Sequence, residues 1–177
     1  MLGMIFTVLV EMVEETFSPE LADEILAEAN LEHGGAYTAV GYYPFEEAVT
    51  LVTLLSEKSG IPPEELLRAF GTYLFGAFTS SHARLLANKH SLVDLLKTLD
   101  SDIHREVYKL YPEAMLPKFR VLSSNDSELE LEYASERRLE PLAIGLMEGA
   151  ARFFGHDTIH IEQRPFDQGV TLFRVSL

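Results

Sequence analysis

One segment of the chain brings two hydroxyl groups and a guanidinium into a regular spacing. Residues Glu128–Tyr133 alternate charged and apolar side chains, which is typical of a half-buried β-strand. If the extended backbone continues, Tyr133, Ser135 and Arg137 point to the same face. Two hydroxyls and an arginine are suited to binding a carboxylate or a phosphate. The alternative is that Arg137 pairs with a nearby glutamate and that Tyr133 belongs to the core.

A histidine in a predicted helix is the second candidate for chemistry. His104 lies at the edge of the apolar stripe of a helix predicted to run from a Ser91 cap to Leu110. A neutral imidazole in this position can ligate a metal or a haem iron, and the alternative is a packing or solvent-facing role. His156 and His160 are poor ligands for one ion, since an extended segment would place them about 13 Å apart.

The elements around these residues divide the chain near Pro117. Before it, apolar residues at helical spacing predict helices over Leu2–Phe17, Phe45–Lys58, Leu66–Thr79 and Ser91–Leu110. A further helix is predicted to begin after Ser18, which would cap it. After it, the pattern predicts a hairpin of Phe119–Leu122 with Glu128–Tyr133, a helix over Leu139–Phe154, and strands over Thr158–Gln163 and Val170–Val175. This order predicts an α+β fold in a single domain of residues 1–177, mainly helical over 1–116 and sheet plus one helix over 117–177.

Composition excludes several classes of function. The chain has 14 Lys and Arg against 28 Asp and Glu, a net charge of −14, which argues against nucleic acids and anionic membranes as partners. Cysteine is absent, so disulfides, thiolate metal sites and cysteine nucleophiles are excluded. No signal peptide and no apolar stretch of about 20 residues is present, and we therefore expect a cytoplasmic protein.

Taken together, these features resemble the H-NOX family, the haem nitric oxide/oxygen-binding domains. The run Tyr133-Ala134-Ser135-Glu136-Arg137 is similar to the family's Tyr-x-Ser-x-Arg motif. It follows a helical histidine and the pair Leu116-Pro117 in the family's order, and the match extends over nearly the whole chain. The resemblance implies that haem b (iron protoporphyrin IX) lies between the helical lobe and the sheet-containing lobe.

The resemblance also implies a role for each matching residue. His104 would be the proximal ligand of the haem iron, and Tyr133, Ser135 and Arg137 would bind the haem propionates. Ile5 and Pro117 would press on the porphyrin and distort it. The residues expected around the gas-binding side of the haem are all apolar: Leu9, Leu74, Phe78, Leu142 and Leu146.

The apolar pocket decides which gas we expect. Oxygen-binding members of the family place a tyrosine at the position of Leu142, and its hydroxyl binds the partly negative dioxygen. Nitric oxide needs such a donor much less, so the sequence favours a nitric oxide sensor, with carbon monoxide as a second candidate ligand. Tyr73 precedes Leu74, and a shift of one residue would bring its hydroxyl into the pocket.

By the same resemblance, the protein is a switch and not an enzyme. Nitric oxide would weaken the bond between the iron and His104, and the released helix would change a surface read by a partner. The partner would be a sensor histidine kinase or a cyclic-di-GMP enzyme that acts in trans. The zinc-binding cysteine cluster of some bacterial members is absent. The alternatives are a dioxygen sensor or carrier of the same family, and a haem-free interaction module that binds an apolar ligand.

Overall fold

The computed structural model describes all 177 residues and has its helices first and an antiparallel sheet second, which confirms the α+β prediction. None of the helices combines the length and the apolar character that are needed to span a bilayer. The α-helices are Gly3–Thr16 (α1), Pro19–Glu28 (α2), Phe45–Ser59 (α3), Pro63–Ser81 (α4), Ala83–Leu86 (α5), Leu92–Lys97 (α6), Arg105–Leu110 (α7) and Glu140–Phe153 (α8).

Local signals explain where several helices begin and end. The Ser18 hydroxyl accepts a hydrogen bond from the backbone N–H of Leu21 at 3.1 Å, and Pro19 occupies the first helical position of α2. Gly60 ends α3 with a φ of 72°, a left-handed conformation that favours glycine. Helix α4 begins at Pro63, earlier than predicted, because the fixed φ of proline suits a first turn.

The continuous helix predicted over Ser91–Leu110 is wrong. Helix α6 ends at Lys97, a π-helix covers Leu99–His104, and α7 follows from Arg105. The break comes at Thr98, whose hydroxyl donates to the Asp94 carbonyl at 2.8 Å, a local bond that competes with regular helix. Apolar spacing does not predict a π-helix, which is a rare element that is frequently found at functional sites.

The sheet contains four antiparallel strands in the order β1-β2-β4-β3. They are Lys118–Ser124 (β1), Glu128–Ala134 (β2), His160–Asp167 (β3) and Val170–Ser176 (β4). The predicted hairpin is therefore confirmed, but the extension of β2 as far as Arg137 is wrong. The chain turns after Ala134, with Arg138 in a left-handed conformation (φ 52°) and its N–H bonded to the Ser135 carbonyl.

Buried apolar side chains form two clusters, one in each lobe. The helical cluster contains residues of α1 to α4, among them Phe6, Leu9, Leu51, Leu55 and Leu74. The sheet cluster combines the sheet with α6 and α8, and includes Leu92, Leu131, Tyr133, Met147 and Phe173. Leu146 of α8 packs against both clusters, so α8 joins the two lobes.

Helices α4 and α8 approach closely because each has a glycine at the crossing. A Cβ atom on Gly145 would overlap the backbone carbonyl of Arg68, and one on Gly71 would overlap the carbonyl of Leu142. The Thr72 hydroxyl donates to the Gly145 carbonyl at 3.1 Å across the same crossing, and Arg68 pairs with Glu148.

We expect Gly145→Ala to lower the free energy of unfolding by about 1–3 kcal/mol, because the new methyl group meets backbone that cannot rotate away. Urea denaturation measures the change. Gly76→Ala in α4 is the matched control: its Cβ would meet nothing within 4 Å, so helix propensity predicts a gain of about 0.5–1 kcal/mol. Equal midpoints for the two variants would contradict this account of the crossing.

Candidate functional site

The imidazole of His104 is oriented by an aspartate on the preceding turn. Its Nδ1 lies 2.7 Å from Oδ1 of Asp100, and its side chain is 14% exposed. A carboxylate only accepts hydrogen bonds, so Nδ1 carries the proton and Nε2 keeps its lone pair. The other oxygen of Asp100 accepts from the backbone N–H of Phe119 at 2.9 Å, which ties the π-helix to β1.

Tyr133 and His104 both lie next to the ring of Phe119. The Phe119 ring is 5.9 Å from the His104 ring and 5.3 Å from the Tyr133 ring, and Tyr133 is 2% exposed. Burial raises the pKa of the Tyr133 hydroxyl, an effect that a hydrogen bond with Ser135 partly offsets. Tyr133 is thus a core residue of the sheet cluster, as the alternative from the sequence held, and still carries a polar group at its end.

Ser135 and Arg137 lie in the turn after β2, where strand alternation no longer applies. The Ser135 hydroxyl accepts from the backbone N–H of Arg137 at 3.3 Å, so the turn keeps the two residues together. The three motif residues are therefore grouped by a turn and not by a common strand face.

Arg137 makes no ion pair, although the chain is rich in carboxylates. Its guanidinium donates to the Met115 carbonyl at 3.2 Å and lies 5.5 Å from the centre of the Phe45 ring. The alternative in which it pairs with a glutamate is wrong, and it is Arg138 that pairs with Glu140. Burial and the nearby Arg137 lower the pKa of the amino group of Met1. The guanidinium of Arg137, which has no carboxylate partner, is suited to an anionic ligand.

The six apolar residues that the sequence singles out on α1, α4 and α8 do not all share one surface. Ile5, Leu9 and Leu142 line a largely apolar cavity of about 130 Å³ together with side chains of α3. Leu74 is buried in the helical cluster, whereas Phe78 packs against the sheet cluster and Leu146 against both. His104, Tyr133, Ser135, Arg137 and Pro117 do not line this cavity, and Pro117 is half-buried directly before β1.

Tyr73 does not direct its hydroxyl into this cavity. The hydroxyl donates to Oε2 of Glu15 at 2.8 Å, on the exposed end of α1. Burial and this hydrogen bond to a carboxylate both raise the pKa of Tyr73. The cavity is lined almost entirely by apolar side chains, and Thr53 supplies its one hydroxyl group, on α3.

His82 is a residue that sequence reasoning missed. Its ring stacks on Phe78 with 5.0 Å between centroids, and its Nδ1 is the one buried side-chain nitrogen or oxygen without a hydrogen-bond partner. In the sequence it is a single histidine at the end of a helical pattern, and no spacing distinguishes it. The sequence gives no signal for Asp100 either, because its role depends on the atoms that it binds in the folded protein and not on its residue type.

The chemistry of these residues fits a haem. A histidine whose Nδ1–H is held by a carboxylate is the usual arrangement for an imidazole that binds iron through Nε2. An arginine without a carboxylate partner suits a propionate, and Arg137 lies over Phe45, a ring that also lines the apolar cavity.

Comparison with known proteins agrees with this chemistry. The sequence model of the family described as Haem-NO-binding matches residues 2–163. The chain belongs to the H-NOX family. H-NOX domains bind haem and act as gas sensors in signal transduction, and they are not catalytic on their own.

Solved H-NOX proteins share the whole fold. An Fe(II) unliganded H-NOX protein from K. algicida is 30% identical with a TM-score of 0.92, over 99% of this chain and 96% of that one. The IWP-051-bound H-NOX from Shewanella woodyi in its Fe(II)CO state is 38% identical with a TM-score of 0.86, over 99% and 94%.

A longer relative carries an H-NOX region as one part of its chain. The soluble guanylate cyclase gcy-35 of Caenorhabditis elegans is 30% identical over 158 residues, which cover 86% of this chain but 23% of that protein. The chain therefore spans about a quarter of this relative, and the cyclase activity in the relative's name refers to that whole protein.

Proposed function

We propose that this H-NOX chain is a nitric oxide sensor, with residues 1–177 acting as one sensor domain. The observation that carries the choice of gas is the lack of a hydroxyl donor among the side chains predicted to face it. Leu9 and Leu142 line an apolar cavity, Tyr73 donates to Glu15, and the Thr53 hydroxyl at the cavity donates to the Val49 carbonyl at 2.8 Å. Bound dioxygen gains from a hydrogen-bond donor much more than nitric oxide does, so an apolar wall favours nitric oxide.

Haem b is the cofactor that we assign to the site, and it would supply the iron to which the gas binds. His104 would hold the iron through Nε2, since Asp100 keeps the proton on Nδ1. Tyr133, Ser135 and Arg137 would bind the propionates, with Arg137 free of any carboxylate partner to do so. Ile5 from α1 and Pro117 before β1 would press on the porphyrin and distort it.

The switch that we propose is the release of His104 when nitric oxide binds. Release of His104 would free the π-helix and remove the strain imposed through Ile5 and Pro117, and the two lobes would then shift. A partner must distinguish the two states for this to signal. We propose a sensor histidine kinase or a cyclic-di-GMP enzyme as that partner, and a cytoplasmic location for the pair.

An absorption spectrum of the haem-supplied protein tests the proposal. The reduced protein should form no dioxygen complex in air, and on adding nitric oxide its Soret band should move to the position of a five-coordinate nitrosyl haem, which has lost its histidine. Reversible binding of dioxygen would contradict the choice of gas. A colourless protein would contradict haem binding and favour an interaction module that uses the apolar cavity.

Dioxygen is the second candidate, and His82 is the observation that favours it. This imidazole stacks on Phe78, one of the residues predicted to face the gas, and its buried Nδ1 has no hydrogen-bond partner. If the wild-type protein binds dioxygen, His82→Leu should abolish that binding and His90→Leu, at an exposed loop position, should not. Dioxygen binding that survives in His82→Leu would exclude His82 as the donor.

We expect Asp100→Ala to speed the loss of haem by about 10- to 100-fold, because the imidazole loses the carboxylate that sets its tautomer and orientation. The rate of haem transfer to excess apomyoglobin measures this. Asp126→Ala, in the exposed turn between β1 and β2, is the control and should transfer haem at the wild-type rate. Equal rates in the two variants would show that His104 does not depend on Asp100.

A further inference from the structure

Lys89 carries an ammonium group that is buried almost completely. Its side chain is 7% exposed, and Nζ donates to the Thr98 hydroxyl at 2.6 Å and to Oδ2 of Asp102 at 2.5 Å. Lysine is almost never buried unless it is paired, so these two bonds explain its position in a loop between α5 and α6. Lys89 lies 13 residues before Asp102 in the chain, and no helical or strand periodicity relates them.

Both partners of Lys89 hold the π-helix that ends at His104. Thr98 is the residue immediately before it, and Asp102 lies inside it. The Thr98 hydroxyl also donates to the Asp94 carbonyl at 2.8 Å. Its proton is therefore engaged, and its oxygen accepts from the Lys89 ammonium. The first turn of the π-helix is thus attached to the loop before α6 at two points.

The two aspartates of the π-helix hold it from different sides. Asp100 binds the His104 imidazole and the backbone of β1, whereas Asp102 binds Lys89. Two residues are close to half a turn in a helix with i→i+5 bonds, so Asp102 lies on the side away from Asp100 and His104. One aspartate orients the imidazole, and the other restrains the backbone that carries it.

We propose that Lys89 is a positioning residue for His104, an inference that rests on the proposed role of His104 as iron ligand. The Lys89–Thr98–Asp102 bonds restrict the movement of the π-helix and so keep the imidazole near the iron after the bond between them stretches. A restrained imidazole returns to the iron more often than a mobile one, because its effective concentration is higher. Lys89 therefore opposes the release of His104 by nitric oxide.

Removing the ammonium should loosen the π-helix and favour release. For Lys89→Met we expect the hydrogen-exchange rates of the amides of residues 99–105 to rise by about 10- to 100-fold. This is the effect expected when a hydrogen bond to a charged group is lost. After nitric oxide is added to the ferrous protein, iron should lose its histidine about tenfold faster, as followed by stopped-flow absorbance. The iron–histidine vibration of the reduced protein should broaden in the resonance Raman spectrum.

Three further variants make this test specific. Lys97→Met is the matched control, since Lys97 is an exposed lysine at the end of α6 that makes no ion pair, and it should behave as wild type. Lys89→Arg keeps a cationic donor and should restore most of the wild-type rate. Thr98→Val removes one partner of Lys89 and keeps the ion pair with Asp102, so we expect an intermediate effect. This milder variant provides the test if Lys89→Met does not fold.

The outcomes separate this inference from the function on which it rests. Faster release in Lys89→Met but not in Lys97→Met supports it. Faster hydrogen exchange with an unchanged rate of histidine loss overturns it, because Lys89 would then be only structural. An iron–histidine vibration that is absent from the wild-type protein overturns the role of His104 itself, and the proposal for Lys89 falls with it.

Discussion

Replacing His104 with glycine should leave the reduced protein without histidine-bound haem, and added imidazole should restore it. In the structure, the Nδ1 of His104 lies 2.7 Å from Asp100, which leaves Nε2 for the iron that we propose it binds. Imidazole enters the space that the side chain vacates but is not attached to the π-helix. The restored protein should therefore bind nitric oxide while the movement of the π-helix is lost.

The readout for this variant does not need the partner protein. Hydrogen exchange of residues 99–110, measured before and after nitric oxide is added, should change in the wild-type protein and stay constant in the imidazole-restored variant. His90→Gly, which removes an exposed loop histidine, is the control and should respond like wild type. A response that persists unchanged in His104→Gly would show that the signal does not pass through this histidine.

Introducing a tyrosine at Leu142 should convert the protein into one that binds dioxygen. Leu142 lines the same cavity as Leu9, and the volume of about 130 Å³ leaves room for a larger ring. A hydroxyl in these apolar surroundings would donate to bound dioxygen, and a hydrogen bond to a charged group is worth about 10- to 100-fold in affinity. Titration of the reduced protein with dioxygen, followed by absorbance, measures the gain.

Leu142→Phe separates the hydroxyl from the size of the ring. It places the same aromatic ring in the cavity without a donor, and we expect its dioxygen affinity to remain that of the wild-type protein. If the two variants bind dioxygen equally, the polarity of this position does not set the choice of gas. Nitric oxide binding should persist in both, because it depends little on a donor.

Local patterns in the sequence determined the order of elements and most of their bounds. Apolar spacing predicts α1 and α3 to within one residue at each end, and the alternation of Glu128–Tyr133 predicts β2. The Ser18 cap is confirmed by its bond to Leu21. These features depend on neighbours within a few residues, so the sequence displays them directly.

The motif residues were identified from the sequence, but their arrangement was not. Tyr133, Ser135 and Arg137 were expected on one face of a strand, whereas a turn after Ala134 brings the last two together. The left-handed conformation of Arg138 belongs to that turn, and an arginine carries no local signal for it. Alternation therefore predicted a geometry for Ser135 and Arg137 that the structure does not have.

Only the tertiary structure decided which polar groups are free and which are engaged. Tyr73 is bonded to Glu15, 58 residues earlier, and Phe119 joins Asp100 to the sheet. Lys89 binds Asp102 from a separate loop, and the π-helix that contains Asp102 was predicted as an ordinary helix. Each bond joins residues that periodicity does not relate, because a hydrogen bond depends on where two atoms meet in space. The sequence determined the fold class and the residues that can hold a haem, and the packing of distant elements decided how His104 is held.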